Sequence, residues 1–467
     1  MNSPVSLPGI AHWPEGLGAL KLTEVLGALS HALDATEGQP VGHAIRVTMI
    51  GDRIGRHLGL AEQERHDLYF TLLLKDLGCS SNAARICELY LVDDLKFKQA
   101  FKLVDGTARS ALRFLVKETA RGGSTIRRAR TLMSVVRNAS SLVDELIETR
   151  CEQGAKIALQ MGFSRNVALG IHALDEHWDG SGRPDRLTGT DIPLGARIAL
   201  VAQVADVFMQ SGGVDNAVDE IRSRRGGWFD PEIADAALSV LRDPDLPARL
   251  ADPNLAQVVL SQSPAAEATE ITEDKMDRII AGFSQVIDAK SPFTNNHSHR
   301  VSFYVDCLTD ALGYDPHRRR WMQRAALLHD MGKLGVPNRV LDKPGKLDPD
   351  ERTVIEGHTL LGCEILGKIG VFGRVSHLAE AHHERLDGSG YPHGLDAATL
   401  STDVRVLTVA DIFDALTAER PYKPAFPPEK VHAIMMDMIG STIDGTCYEA
   451  LRGAMARDPE GLTSSGP

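Results

Sequence analysis

An internal repeat limits what this chain can fold into more than any other feature. Gly42-His43-Ala44-Ile45-Arg46-Val47 returns as Asn296-His297-Ser298-His299-Arg300-Val301. Leu72-Leu73-Leu74-Lys75-Asp76-Leu77-Gly78 returns around Leu327-Leu328-His329-Asp330-Met331-Gly332. His43 and His297, like Asp76 and Asp330, lie 254 residues apart. Further on, Gly154-Ala155-Lys156-Ile157 matches Gly362-Cys363-Glu364-Ile365, and Asp179 to Pro184 matches Asp387 to Pro392, both at an offset of 208. Val204-Ala205-Asp206-Val207-Phe208 aligns with Val409-Ala410-Asp411-Ile412-Phe413 at 205. Order is kept while the offset first drops by 46, so the first copy carries an insertion between Gly78 and Arg150. Two homologous domains in tandem are expected, over 1–262 and 263–467, joined by the Pro-, Asp-, Ala- and Ser-rich stretch Asp243–Glu270.

Each copy reads as helical. Apolar residues recur at three and four over Leu20–Leu33, Val41–Leu58 and Leu68–Leu77, and alternating β-branched runs are nearly absent. Asp230-Pro231, Asp315-Pro316 and Asp348-Pro349 suit helix entry, and Gly59 and Gly313 suit helix ends. The expected fold class is all-α. Lys and Arg total 51 against 63 Asp and Glu, a net charge of −12 that speaks against binding nucleic acid by bulk charge. No apolar run reaches the roughly 18 residues of a membrane span, and the start lacks the pattern of a secretory signal. Six scattered cysteines without a CxxC pair fit reduced thiols. A cytoplasmic protein without a membrane partner is expected.

The second copy gathers metal-ligand types: His297, His329, Asp330, His358, His382, His383 and Asp411. In the first copy, Lys75, Arg150, Leu174 and Asp175 stand for His329, His358, His382 and His383, while His43, Asp76 and Asp206 are read as the counterparts of His297, Asp330 and Asp411. Packing alone would not single out imidazoles for loss, whereas a metal site kept in one copy and abandoned in the other would. Seven ligands with Asp330 bridging supply about eight bonds to two six-coordinate ions. A bridging hydroxide and about two phosphoryl oxygens would complete them, as in two-metal phosphoester hydrolysis. Five imidazoles, two carboxylates and no thiolate favour Fe or Mn over Ca²⁺ or Mg²⁺. Lys333, one turn beyond Asp330, is placed to steady the phosphate or the nucleophile.

The segments His329-Asp330 with Lys333, His382-His383 through Gly390-Tyr391-Pro392, and Ala410-Asp411 through Arg420 and Lys423 resemble the HD-GYP family over roughly 275–450. Its members are bacterial metal-dependent phosphodiesterases that hydrolyse cyclic di-GMP. The resemblance implies one metal on His297, His329, Asp330 and Asp411, and a second on Asp330, His358, His382 and His383. It implies catalytic roles for Asp330 and Lys333 and substrate contacts from Tyr391, Arg420 and Lys423. Some relatives hold a third metal through a carboxylate four residues before the first histidine; Phe293 stands there and cannot ligate, so a dinuclear centre is expected. The first copy resembles a degenerate, non-catalytic HD-like half that packs on or regulates the second.

The expected reaction opens cyclic di-GMP to linear pGpG, and on to GMP if it continues. A phosphohydrolase for another cyclic dinucleotide or nucleotide, and a scaffold that binds cyclic di-GMP or a diguanylate cyclase through the Gly390-Tyr391-Pro392 loop, are the rival readings. That cyclase and a second copy of the chain in a homodimer are the protein partners considered. Lys96–Arg130 holds ten basic residues against Asp105 and Glu118, read as either a solvated helical face or a regulatory segment. His299 and His393 are expected at the surface, and Gly362 to Lys368 is a helix rather than a phosphate-binding loop.

Overall fold

The computed structural model describes residues 13–18, 20–104, 108–119, 125–262, 271–419 and 425–457. Among them regular structure is helical, with isolated bridges and no strand. Helices begin where the caps require it. Asp315 accepts from the Arg318 N–H (3.0 Å), Asp348 from Glu351 (2.9 Å) and Asp230 from Glu232 (2.9 Å), each with proline in the first turn. Gly59 and Gly313, at φ 71° and 74°, end equivalent helices in the two copies, where an L side chain would be strained.

Contacts divide the chain into an N unit, Lys21–Ile271 with Pro337–Lys343, and a C unit, Met1–Leu20 with Thr272–Val336 and Pro344–Pro467. Each unit therefore takes in a segment distant in sequence. In the C unit the Trp13 ring stacks on Trp321 at 6.2 Å. Its indole N–H donates to buried Asp403 (3.2 Å), which also accepts from Tyr314 (2.9 Å) and Arg374 (2.8 Å). In the N unit the Asn338 N–H donates to Asp94 (2.7 Å).

Six helices recur. In the N unit they are α1 (Leu22–Thr36), α2 (His43–His57), α3 (Glu62–Leu74), α4 (Ala139–Gln160), α5 (Arg165–His172) and α6 (Leu194–Arg224). In the C unit they are α7 (Glu273–Asp288), α8 (His297–Ala311), α9 (Pro316–Leu328), α10 (His358–Gly367), α11 (Gly373–Ala381) and α12 (Thr402–Thr417). The central helix of each unit, α2 or α8, packs against α3 and α6, or α9 and α12. Both units share a tight crossing that leaves room only for glycine. A Cβ on Gly332 would lie 1.9 Å from the His358 carbonyl oxygen, and one on Gly78 would lie 1.9 Å from that of Arg150. In the C unit this crossing sets the start of α10, and with it His358, directly against the turn that carries Asp330.

The stretch expected to link the domains is partly built into the N unit. Helices Leu246–Leu250 and Leu255–Ser261 bury Leu246, Leu250, Leu255 and Val259, and Leu260 packs over Gly27 of α1. Apolar spacing there outweighs a loop-like composition; residues 263–270 lie outside the described residues. The insertion also departs from a purely solvated face. Lys98 is buried and Lys102 partly buried, Lys102 pairing with Glu37 at 2.9 Å and Lys98 donating to the carbonyl of Thr36 (3.2 Å) and to that of Cys79.

Candidate metal centre

All seven expected ligands converge in the C unit. His297 opens α8, His329 and Asp330 follow the end of α9, and His358 opens α10. His382 and His383 follow α11, and Asp411 lies in the middle of α12. The two oxygens of Asp330 face different histidines: Oδ2 lies 3.5 Å from His297 Nε2 and 3.3 Å from His329 Nε2, and Oδ1 lies 3.5 Å from His358 Nε2 and 3.7 Å from His382 Nε2. Asp411 Oδ1 is 3.3 Å from His297 Nε2. Atoms that share an ion at about 2.1 Å stand about 3.0–3.5 Å apart, so this spacing fits ligands. Asp330, His358, His382 and His383 form one compact group and His297, His329 and Asp330 another, with Asp411 close to His329 and His382. Asp330 is common to both groups, as a bridging carboxylate would be.

Four of the inward atoms have no other occupation. His329 Nε2, His358 Nε2, His382 Nε2 and Asp330 Oδ1 are buried without a hydrogen-bond partner, a costly arrangement for a metal-free core and the normal one for ligands. The outward nitrogens are committed. Nδ1 of His329, His358 and His382 each meets the carbonyl three residues earlier, at 2.7, 2.5 and 2.8 Å, which turns Nε2 inward. His297 differs: its Nδ1 meets Asp414 Oδ2 at 2.8 Å. Arg300 in turn grips both oxygens of Asp414, at 2.6 and 3.0 Å.

Burial, followed by the Lys333 charge, pushes His358 down to about 4, and burial pushes His383 down to about 3. Both imidazoles are therefore neutral at pH 7, the form that ligates. Burial alone would lower His297, but contacts with Asp330, Asp411 and Asp414 carry it well above 6.5. The Lys333 ammonium donates to Asp330 Oδ2 at 2.5 Å, from the short turn Met331–Gly335. The Tyr391 ring lies over His383, centroids 4.9 Å apart, and burial raises its hydroxyl pKa. Glu384 holds the loop beyond it by accepting from the N–H groups of His393, Gly394 and Leu395 (2.7, 3.1 and 2.9 Å). His299 and His393 are exposed, as expected. Arg420 and Lys423 lie outside the described residues.

The N unit repeats this scaffold with cations inside it. Lys75 donates to Asp76 and sits 3.2 Å from His43 Nε2, and Arg150 pairs with Asp175. Ammonium and guanidinium thus take up the negative charge that a metal would otherwise neutralise. One expectation is corrected here. His43 Nδ1 meets Asp206 Oδ2 at 2.7 Å, and Arg46 grips Asp206 at 2.7 and 3.0 Å, reproducing His297, Asp414 and Arg300. Asp206 therefore corresponds to Asp414, and the counterpart of Asp411 is Gln203, at the offset of 208 that the preceding segments keep. The first copy has lost this ligand too.

His43 offers a local check on the cation-filled site. Burial and the adjacent Lys75 charge lower its pKa from 6.5 to about 4. Because the folded value lies below the unfolded one, protonation favours the unfolded chain. The His43 contribution to stability is constant above about 6.5 and falls as the pH drops toward 4. In histidine-labelled protein its ring resonance should titrate near 4; a midpoint near 6.5 would contradict the buried pairing with Lys75.

The HD domain family matches residues 130–233 and 282–447. The 3'3'-cGAMP-specific phosphodiesterase 3 of Vibrio cholerae is 45% identical over 442 residues, which is 95% of this chain and 96% of that protein. The cyclic di-GMP phosphodiesterase response regulator RpfG of Xanthomonas campestris is 37% identical over 194 residues, 41% of this chain and 51% of that protein. Among solved structures, the cyclic GMP-AMP-specific phosphodiesterase V-cGAP3 of V. cholerae aligns with a TM-score of 0.63 and 41% identity, over 93% of this chain and 97% of that one.

Proposed function

This chain belongs to the HD domain family, in its HD-GYP branch, and we propose that it hydrolyses the phosphodiester of a cyclic dinucleotide in its C unit, with 3'3'-cGAMP as the preferred substrate. The observation that carries the reaction is the complete, inward-facing ligand set around Asp330. The substrate choice rests on the V. cholerae cGAMP-specific relative, which is alike over 95% of this chain, whereas the cyclic di-GMP phosphodiesterase RpfG is alike over 41%. Cyclic di-GMP, the substrate that the motifs alone suggest, is the second reading.

His297, His329, Asp330 and Asp411 would hold one divalent ion, and Asp330, His358, His382 and His383 the other. The donor set suits Fe or Mn. Such a pair supplies Lewis-acid polarisation of the phosphoryl group and a nucleophilic water at neutral pH. The chain's own residues do the rest. Asp330 offers one oxygen to each side, and the Lys333 ammonium beside it stabilises negative charge gathering on the phosphate. The Tyr391 ring walls the site next to His383. Arg420 and Lys423 would contact a substrate phosphate or guanine edge, a role for which a guanidinium's fork suits Arg420. The N unit is a non-catalytic partner whose cation-filled core needs no metal.

Product chromatography after incubation with 3'3'-cGAMP and with cyclic di-GMP tests the reading. Faster opening of 3'3'-cGAMP to the linear dinucleotide is expected; no turnover of either by metal-loaded protein would overturn it. Arg420→Ala should raise the apparent KM for the cyclic dinucleotide about ten- to a hundredfold, the cost of one charged hydrogen bond. Turnover of a small chromogenic phosphodiester should fall much less. Equal losses on both substrates with a lowered melting temperature would remove Arg420 from the site.

A further inference from the structure

We infer that Asp414, clamped by Arg300, is a positioning residue that makes the two metal positions unequal, so that the ion on the His297 side is held more tightly. The inference rests on the dinuclear reading above and adds an order of retention to it.

His329, His358 and His382 each back onto a neutral main-chain carbonyl, at 2.7, 2.5 and 2.8 Å. His297 backs onto a carboxylate at 2.8 Å. An anionic acceptor draws the Nδ1 proton more strongly than a carbonyl does and leaves Nε2 the better donor. The imidazoles with a neutral backing include His358 and His382, both in the other group around Asp330, so among these four the enriched donor is on the His297 side. Asp411, on the same side, adds a second carboxylate there.

The Asp414 side chain is fully buried, and Arg300 fixes both of its oxygens, so the acceptor stays ionised and cannot swing away. Asp411 and Asp414 stand one turn apart on α12, so a single helix supplies a ligand and the brace of its neighbour. The N unit contains the natural control. His43, Asp206 and Arg46 keep the same arrangement where Lys75, Arg150, Leu174 and Gln203 have replaced ligands. Whatever the brace does for helix packing, by tying α2 to α6 and α8 to α12, it does in both units. Only in the C unit does it also act on a metal ligand.

The test is a chelator titration of anaerobically loaded full-length protein, with metal per chain measured at each step. The wild type should lose its ions in two separated steps. Asp414→Asn, which can still accept a hydrogen bond but carries no charge, should lose the later step. Retention of that ion should weaken about ten- to a hundredfold, the usual effect of replacing such a backing group. Asp206→Asn should leave the metal curve unchanged while showing any loss of melting temperature that the brace alone causes. An Asp414→Asn curve identical to the wild type overturns the inference, as do equal metal losses in the two variants. If Asp414→Asn does not fold, Arg300→Gln is the second variant; it should move the later step in the same direction, and an unmoved step overturns the inference. A wild type that holds no metal would instead overturn the dinuclear reading itself.

Discussion

Asp330→Ala should reduce hydrolysis about a thousandfold or more and leave no tightly held ion. One carboxylate faces His297 and His329 with one oxygen and His358 and His382 with the other. Its removal opens both groups at once and also strips Lys333 of its partner. Loss of a single backing group around a ligand costs about ten- to a hundredfold, and a shared ligand should cost more. Metal content and turnover, measured on the same preparation, check this. A variant with two ions, or a rate within tenfold of the wild type, would show that Asp330 does not bridge.

The largest stability effect should come from the N unit. Lys75 is fully buried, donates to Asp76 and lies 3.2 Å from His43 Nε2. Lys75→Ala would leave the Asp76 carboxylate buried without its nearest cation, a loss of about 3–5 kcal/mol. For a unit of this size that is a drop of about 10 °C or more in melting temperature. The two ions of the C unit should remain, and Gln203 offers no carboxylate to complete a new site beside His43. Thermal unfolding with parallel metal analysis separates the two effects. A melting temperature within about 2 °C of the wild type would mean that the ammonium carries no structural load.

Most of the C-unit site was legible in the sequence because its chemistry is written in residue types that packing does not demand. Five histidines and two aspartates, matched against an eroded copy, are the residues that the structure gathers around Asp330. The register of Asp206 was misread. A slip of three residues is close to one helical turn, so it preserves the apolar face of α6 and α12 and lets Asp206 imitate either Asp411 or Asp414. Keeping the offset of 208 pairs Asp206 with Asp414, and the partners His43 and Arg46 settle it. The repeat did contain a signal, since Arg46 and Arg300 match, but a conserved register of arginines says nothing about which aspartate they hold.

Elsewhere the sequence failed where partners are distant. Lys98 and Lys102 looked like part of a solvated basic stretch, yet Glu37, more than sixty residues earlier, gives them a buried counter-charge. Trp13 falls in the stretch expected for the first domain but anchors to Asp403 in the C unit, 390 residues away. Helices Leu246–Leu250 and Leu255–Ser261 were hidden by a Pro- and Asp-rich composition, although their buried leucines and valine fall about one turn apart within each helix. All three depend on contacts that local pattern does not encode.

The central claim is one working dinuclear centre in the C unit beside a metal-free replica in the N unit. It is tested most directly by element analysis of anaerobically purified full-length protein, together with Asp330→Ala and Asp76→Ala. Two ions per chain are expected in the wild type, lost in Asp330→Ala and retained in Asp76→Ala. Three or four ions per chain, or the loss of an ion in Asp76→Ala, would contradict it.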